Sequence, residues 1–251
     1  MSTEGTMSLS RSATKALAET PANMFKLMLE TCRRDCPGDS FLDPNTITLL
    51  TSVPIRGIAV AQFQRAFGLK VDSHPGAATF AALWELNKPT RAQFEERMLN
   101  AAQDTGTIYT LGAGGYGWMQ DEFDAECDCS GFIAFCLGLS RKPSTAFMAK
   151  GVKWWFSTDS MILAAKEGVF FREAEKGTPG CIVAYPDYKS QGKRRQGHTG
   201  YITEWRGTVP WGYDCSSSQS RKTGDAVKLR SLSFFNRHKA ARYFVPSWWQ
   251  E

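Results

Sequence analysis

Along the early part of the chain apolar side chains recur every three or four residues, and along its closing third they alternate with polar ones or gather in short runs. The first pattern is the stripe of an amphipathic helix, the second the mark of a strand. Between Thr14 and Arg34, Leu17, Met24, Leu27, Met28 and Leu29 predict helix, interrupted near Pro21. The segment 36–45 is rich in turn formers and ends in Asp43-Pro44. A second helix is predicted from Ile58 to Phe67, with Ile58, Ala59, Phe63, Ala66 and Phe67 on its stripe and Gly68 as its stop. A third begins near Ala77, and Pro89 closes this group. Residues 90–104 predict a strong helix opened by Thr90 as N-cap. Past Gly106 the character changes. A glycine-rich stretch leads to Cys127–Leu139, a short and nearly all-apolar helix, and a further helix runs from about Thr158 to Lys166, ending at Gly168. Strand-prone runs follow at 181–186, 198–205, 208–215, 226–231 and 241–246. Helices first and strands later predict an α+β fold with a separate helical module ahead of it. The expected division is a disordered terminus over 1–12, a helical module over 13–89 and an α+β domain over 90–251.

Composition narrows the class. In 251 residues, 42% hydrophobic and 12% aromatic content can build a core without disulfide staples, and 22% charged residues of both signs fit a globular chain. The net charge of +5 suits an anionic partner or a merely solubilised surface, and does not choose. The N-terminal residues lack the apolar stretch of a secretory signal, and no window is long and apolar enough to span a membrane. Seven cysteines are an odd count without a small-domain framework, so a mostly reduced chain is expected.

Candidate chemistry centres on one cysteine. Cys129 precedes Ser130-Gly131 and an apolar run, so it should stand at the N-terminus of a buried helix, where unpaired N–H groups and the helix dipole favour a thiolate. Glu126 and Asp128 oppose this unless they point away or meet substrate, and Cys127 lies before the helix starts. Cys136 is read as core. Of three histidines, His198 opens a strand after an exposed loop and is the candidate base. If 198–204 and 208–214 form a hairpin around Trp205-Arg206-Gly207, Glu204 faces Thr208 and His198 lies directly opposite Asp214, which could then orient the imidazole. Pro210 and Gly212 could shift that register through a bulge.

Taken in order, Tyr109-x-x-Gly112, Asp128-Cys129-Ser130-Gly131-Phe132, Pro179-Gly180-Cys181-Ile182-Val183 and Gly197-His198-Thr199-Gly200-Tyr201 resemble the NlpC-type cell-wall cysteine peptidases over roughly 105–246. That resemblance implies a papain-like α+β catalytic domain, a helix-borne Cys against a small antiparallel sheet. It implies Cys129 as nucleophile, His198 as general base and Asp214 as the third polar member. Tyr109 would lie near the nucleophile and oxyanion, and Asp128 and Ser130 would contact the substrate's stem peptide. The segment from Pro186 to Gly197 is longer and more basic than the family's, Cys181 replaces a usual acidic residue, and 246–251 run past the family's end.

The helical part has its own likeness. Val60–Arg65, Gly68–Asp72 and Gly76-x-x-Thr79-x-x-x-Leu83 resemble the second half of a three-helix peptidoglycan-binding module, with Ser73 replacing a usual Gly. The resemblance implies a wall-binding role for Gln62, Gln64 and Asp72; a generic helical bundle is the alternative.

Other signals are discounted. Cys127-x-Cys129 lacks zinc-site spacing, the glycines at 112–115 lack the Lys of a phosphate loop, and Cys32 with Cys36 is read as a chance pair. Lys193-Arg194-Arg195 is read as a solvated loop that could meet an anionic polymer, and Trp154-Trp155 and Trp248-Trp249 as packing anchors. The resemblance to the NlpC-type peptidases implies hydrolysis of the γ-D-glutamyl-diaminopimelate bond of the stem peptide as the function. A muramoyl-L-alanine amidase or a non-catalytic wall-binding protein are the alternatives. No cofactor, metal, nucleic acid or membrane insertion is expected; the partner is peptidoglycan, the protein a monomer. It would be made without a signal peptide and reach the wall after holin release or secretion-system delivery.

Overall fold

The computed structural model describes residues 17, 22–35, 53–114, 126–139, 141 and 156–250. The segment 1–12, Pro21, the 36–45 turn and Trp154-Trp155 fall outside them. The chain divides into two compact units, Met1–Asn87 and Lys88–Glu251.

The first unit packs three helices, α1 (Ala22–Asp35), α2 (Val53–Ala66) and α3 (Ala77–Leu86), each touching the other two. Met24, Phe25, Met28, Leu29 and Cys32 from α1 meet Val60 and Phe63 from α2 and Leu83 from α3 in a buried core. The predicted second helix starts five residues earlier than its apolar stripe, at Val53, and Ile58 points outward at 44% exposure while Val60 takes the core position.

The second unit opens with α4 (Arg91–Gln103), capped as its sequence predicts. The Thr90 hydroxyl accepts from Gln93 N, and Gln93 Oε1 accepts from Thr90 N, satisfying two donors that the helix leaves unpaired. Strands β1 (Ile108–Tyr109) and β2 (Glu126–Cys127) form a short parallel pair leading into α5 (Cys129–Cys136), which is apolar all round and buried throughout. Helix α6 (Thr158–Lys166) follows. The strands are β3 (Phe171–Glu173), β4 (Cys181–Tyr185), β5 (Tyr188–Ser190), β6 (Lys193–Arg195), β7 (His198–Arg206), β8 (Val209–Cys215), β9 (Val227–Ser231) and β10 (Arg242–Pro246). Helices α7 (Ser217–Thr223) and α8 (Ser233–Asn236) lie between β8 and β10. Six strands make one antiparallel sheet in the order β3-β10-β4-β7-β8-β9, and β5 and β6 form a separate hairpin. The architecture is thus α+β, with N-terminal helices followed by a six-stranded antiparallel sheet and its helices.

The ends of this unit are joined by the tryptophans near its C-terminus. Both Trp248 Nε1 and Trp249 Nε1 donate to the Pro89 carbonyl oxygen, at 2.9 and 3.0 Å, and the Trp249 ring packs edge-on to Phe94 of α4.

The β7–β8 hairpin departs from the expected register. Its loop is the two-residue Gly207-Thr208, with Arg206 opposite Val209, rather than a three-residue loop ending at Gly207. Gly207, at φ +62° in the first loop position, suits the turn that matches the twist of antiparallel strands. A bulge at Thr203 then moves the pairing, so Ile202 faces Gly212 and Tyr201 faces Tyr213. Carried one step further, that register sets Asp214 against Gly200 instead of His198.

Candidate active site

Cys129 is the first residue of α5, so its own N–H has no acceptor within the helix. The residue before it, Asp128, is the N-cap and is only 2% exposed. Its Oδ1 accepts from Gly131 N at 2.8 Å and Ser130 Oγ at 3.1 Å; its Oδ2 accepts from Gly112 N at 2.8 Å. Arg141 grips both oxygens, through Nη1 on Oδ1 and through Nη2 on Oδ2 at 2.8 Å. A carboxylate next to a nucleophilic thiol would resist ionisation of that thiol. Here the carboxylate is turned into the chain and matched by a buried guanidinium. Arg141 also donates to Ser130 Oγ at 2.9 Å. Asp128 and Ser130, assigned to substrate by resemblance, therefore already hold the start of α5 against the 110–114 loop. Gly131 completes that contact, since a Cβ there would fall 2.1 Å from the Ala113 carbonyl oxygen.

His198 opens β7, its side chain 13% exposed. Its Nε2 lies 2.7 Å from Asp214 Oδ2, and Asp214 is fully buried. The two are diagonal neighbours rather than directly opposed, but they share a face, because the register differs from the expected one by two residues at this point. Gly200, the residue between them on that face, keeps the path open: a Cβ there would lie 3.2 Å from Asp214 Cβ.

The imidazole is also close enough to Cys129 for the sulfur to act on its charge. Burial alone would discharge the ring; Cys129 and Asp214 together outweigh it and push the His198 pKa up to about 10. Asp214 shows the opposite balance. Burial would raise its pKa, but Arg230 and His198 hold it below the ordinary carboxylate value. Arg230 Nε donates to Asp214 Oδ1 at 2.7 Å and its Nη2 donates to Oδ2. Phe235 and Phe234 flank His198, with ring centroids 5.8 and 5.6 Å away.

Tyr109, in β1, pairs in register with Cys127, and its side chain lines the same cleft as Cys129. Burial, with Cys129 and Asp128 adding to it, drives its pKa far above the usual phenol value, so it stays a neutral donor beside the sulfur. A cleft of about 240 Å³ opens on Cys129 and is lined by Tyr109, Ser130, Arg141, Thr158, Asp187 and Gln196 among others. That is below the usual span for a drug-sized ligand and suits one or two side chains of an extended substrate.

Arg230 and Arg141 are the site residues that sequence reasoning missed. Arg230 sits in a strand-prone run among other exposed-looking charges, and its signal becomes visible only once β9 is paired with β8. The rival Cys127 is fully buried, its sulfur 3.0 Å from that of Cys215. Cys136 is buried, and burial drives its thiol pKa up.

In the helical unit Gln64 is 2% exposed and spends its amide inside the chain. Its Nε2 donates to Asp72 Oδ1, the His74 carbonyl and Thr79 Oγ1 at 2.9–3.1 Å, and its Oε1 accepts from Asp72 N and Ser73 N at 3.0 Å. Gln64 and Asp72 thus brace the 68–76 loop, and Gln62 is half-buried beside them in sequence. Among the described residues no group of three His, Cys, Asp or Glu is placed to hold a metal ion, and no helix is long and apolar enough to cross a membrane.

No protein-family model matches the chain, and no curated protein matches it.

Proposed function

We propose that this protein is a cysteine-dependent hydrolase of amide bonds in the peptide stem of bacterial peptidoglycan, with a papain-like catalytic unit. The observation that carries the chemistry is the imidazole of His198 held between a fully buried carboxylate and a cysteine at a helix N-terminus. Its two neighbours favour the protonated ring, which makes His198 a stronger base toward the Cys129 thiol.

The reaction follows from that pair. His198 takes the Cys129 proton, and the sulfur attacks the amide carbon. The oxyanion that forms is met by the Cys129 N–H and the neutral Tyr109 hydroxyl. The imidazolium returns its proton to the leaving amine as the C–N bond breaks. Water, deprotonated by His198, then opens the thioester and regenerates the thiol. Asp214 keeps Nε2 engaged so that Nδ1 is the nitrogen left for sulfur.

The choice of substrate rests on the ordered motifs around Tyr109, Cys129, Pro179 and His198, which resemble those of cell-wall peptidases. The preferred bond on that basis is γ-D-glutamyl to diaminopimelate. The helical unit would hold the protein on the wall polymer, after delivery to it by a route of its own. Because Gln64 is committed inside the loop it braces, polymer would be met by the outer side of that loop rather than by this amide.

Purified protein incubated with sacculi, followed by mass spectrometry of the soluble fraction, tests the reading. Wild type should release stem-peptide fragments with new free amines, while Cys129→Ala should release none at unchanged melting temperature. Intact sacculi after treatment with a wild type whose Cys129 still reacts with alkylating reagents would overturn the substrate assignment.

A further inference from the structure

We propose that Arg230 is a positioning residue of this site: its guanidinium fork sets the plane of the Asp214 carboxylate and offsets its charge, so that one oxygen is presented to His198. The inference rests on Cys129 and His198 acting as nucleophile and base.

The sheet explains how an arginine reaches there. Asp214 is paired with Lys228 across β8 and β9, and Gly212 with Arg230. Arg230 is therefore one diagonal from Asp214 on the same face, just as His198 is from the other side. Its opposite number, Gly212, presents no side chain over which it must climb. A Cβ at 212 would fall 1.9 Å from the Tyr201 carbonyl oxygen, so that opening is built into the hairpin. Lys228, the cation directly opposite Asp214, turns instead to Asp225 at 2.6 Å. The face is thus arranged so that a planar fork, and not a point charge, meets the buried carboxylate.

The contacts divide the carboxylate's work. Oδ1 takes the Arg230 Nε–H at 2.7 Å, while Oδ2 is shared between Arg230 Nη2 and His198 Nε2. The terminal torsion of an aspartate is broad when free. Two parallel bonds to one rigid group remove that freedom, and the guanidinium, 5.1 Å from the Phe234 ring centroid, is itself packed. Charge matters as well as shape. The imidazole is faced by Cys129 from α5, Asp214 from β8, Arg230 through Asp214 from β9, and Tyr185 from β4, on which His238 stacks at 4.0 Å. Among these Arg230 is the permanent cation. Without it, Asp214 would bind the imidazolium harder and slow the return of its proton to the leaving amine.

Two variants of the full chain separate shape from charge. Arg230→Gln removes the cation, and Arg230→Lys keeps it but loses the fork. Alkylation of Cys129 by iodoacetamide, followed by peptide mapping across pH, and the NMR titration of the His198 ring both work without a substrate. Arg230→Gln should move both midpoints to higher pH by about one unit. Arg230→Lys should leave both within a few tenths of wild type yet release fragments from sacculi about tenfold more slowly. A residue that only braces the sheet would lower the melting temperature of both variants and leave midpoints and turnover per folded molecule unmoved, which overturns the proposal. Should Arg230→Gln not fold, wild-type turnover in Arg230→Lys does the same. A wild-type Cys129 that reacts no faster than a free thiol at neutral pH would instead sink the cysteine–histidine reading itself, whatever the arginine variants do.

Discussion

Two buried polar side chains organise the two units, and they do so to different ends. Gln64 and Asp214 are each almost or fully inaccessible, and each gathers partners from separate segments. Gln64 is neutral, and its partners are backbone groups, a threonine and an aspartate of its own neighbourhood. Asp214 is charged, and its partners are a permanent cation and a ring that can gain or lose a proton. Burial and saturation are common to both, so neither marks a functional site. The difference lies in the charge of the hub itself, in a cation and an imidazole as its partners, and in the cysteine beyond that ring. A neutral hub fixes one loop. A charged hub fixes a proton's location.

The sharpest way to break the comparison is Asp214→Asn. If the carboxylate holds the imidazole in its working orientation, turnover should fall between roughly 10²- and 10⁴-fold with the overall fold retained. Activity near that of wild type would reduce Asp214 to the same structural rank as Gln64. Proton linkage gives the next largest signal. The folded pKa of His198, about 10, exceeds its ordinary 6.5. Its protonated form therefore contributes stability that is whole below about pH 6.5 and is lost as pH rises through 10. Denaturation midpoints of wild type should decline across that window more than those of His198→Ala, and parallel curves for the two proteins would disprove the linkage.

The neutral hub predicts smaller changes confined to its own unit. Gln64→Ala leaves the Asp72 and Ser73 N–H groups without their acceptor and should cost about 2 kcal/mol in the unfolding of the helical unit. Cleavage of small soluble muropeptides should not change; a loss there comparable to the loss of stability would mean the units are not independent. Smallest of all should be Asp72→Asn. The Asp72 carboxylate has a lowered pKa, first through the His74 N–H, but it is partly exposed and an amide oxygen can take the same bonds. A shift beyond about 0.5 kcal/mol would show that charge, not geometry, carries the loop.

Much of the fold was legible because local chemistry and global structure agree. Thr90 with Gln93 announces the start of α4, the apolar run after Asp128 announces a buried helix, and each long strand of the sheet lies in a β-prone run. What could not be read were features that depend on partners distant in sequence. The bulge at Thr203 has no local signature, and alternation cannot see an error of two residues, which preserves the face of every side chain. That is why the alternation predicts the face that His198 and Asp214 share, whereas the direct opposition it also predicts gives way to a diagonal pair. Polar α7, with the sequence SSQSRKT, lacks an apolar stripe that would give it away. The basic run 193–195 predicts a solvated loop, but it forms the β5–β6 hairpin, with Gln191 and Gly192 both at positive φ at its tip, the geometry an x-Gly pair favours.

The clasp of Trp248 and Trp249 on Pro89 has a consequence for how the second unit can be handled. Its first and last described segments are neighbours, so covalent order along the backbone matters little to its architecture. A short peptide could bridge them and new termini be cut elsewhere, giving a circularly permuted form of the unit. Anything fused behind Trp249 would be tethered beside the entrance of the unit.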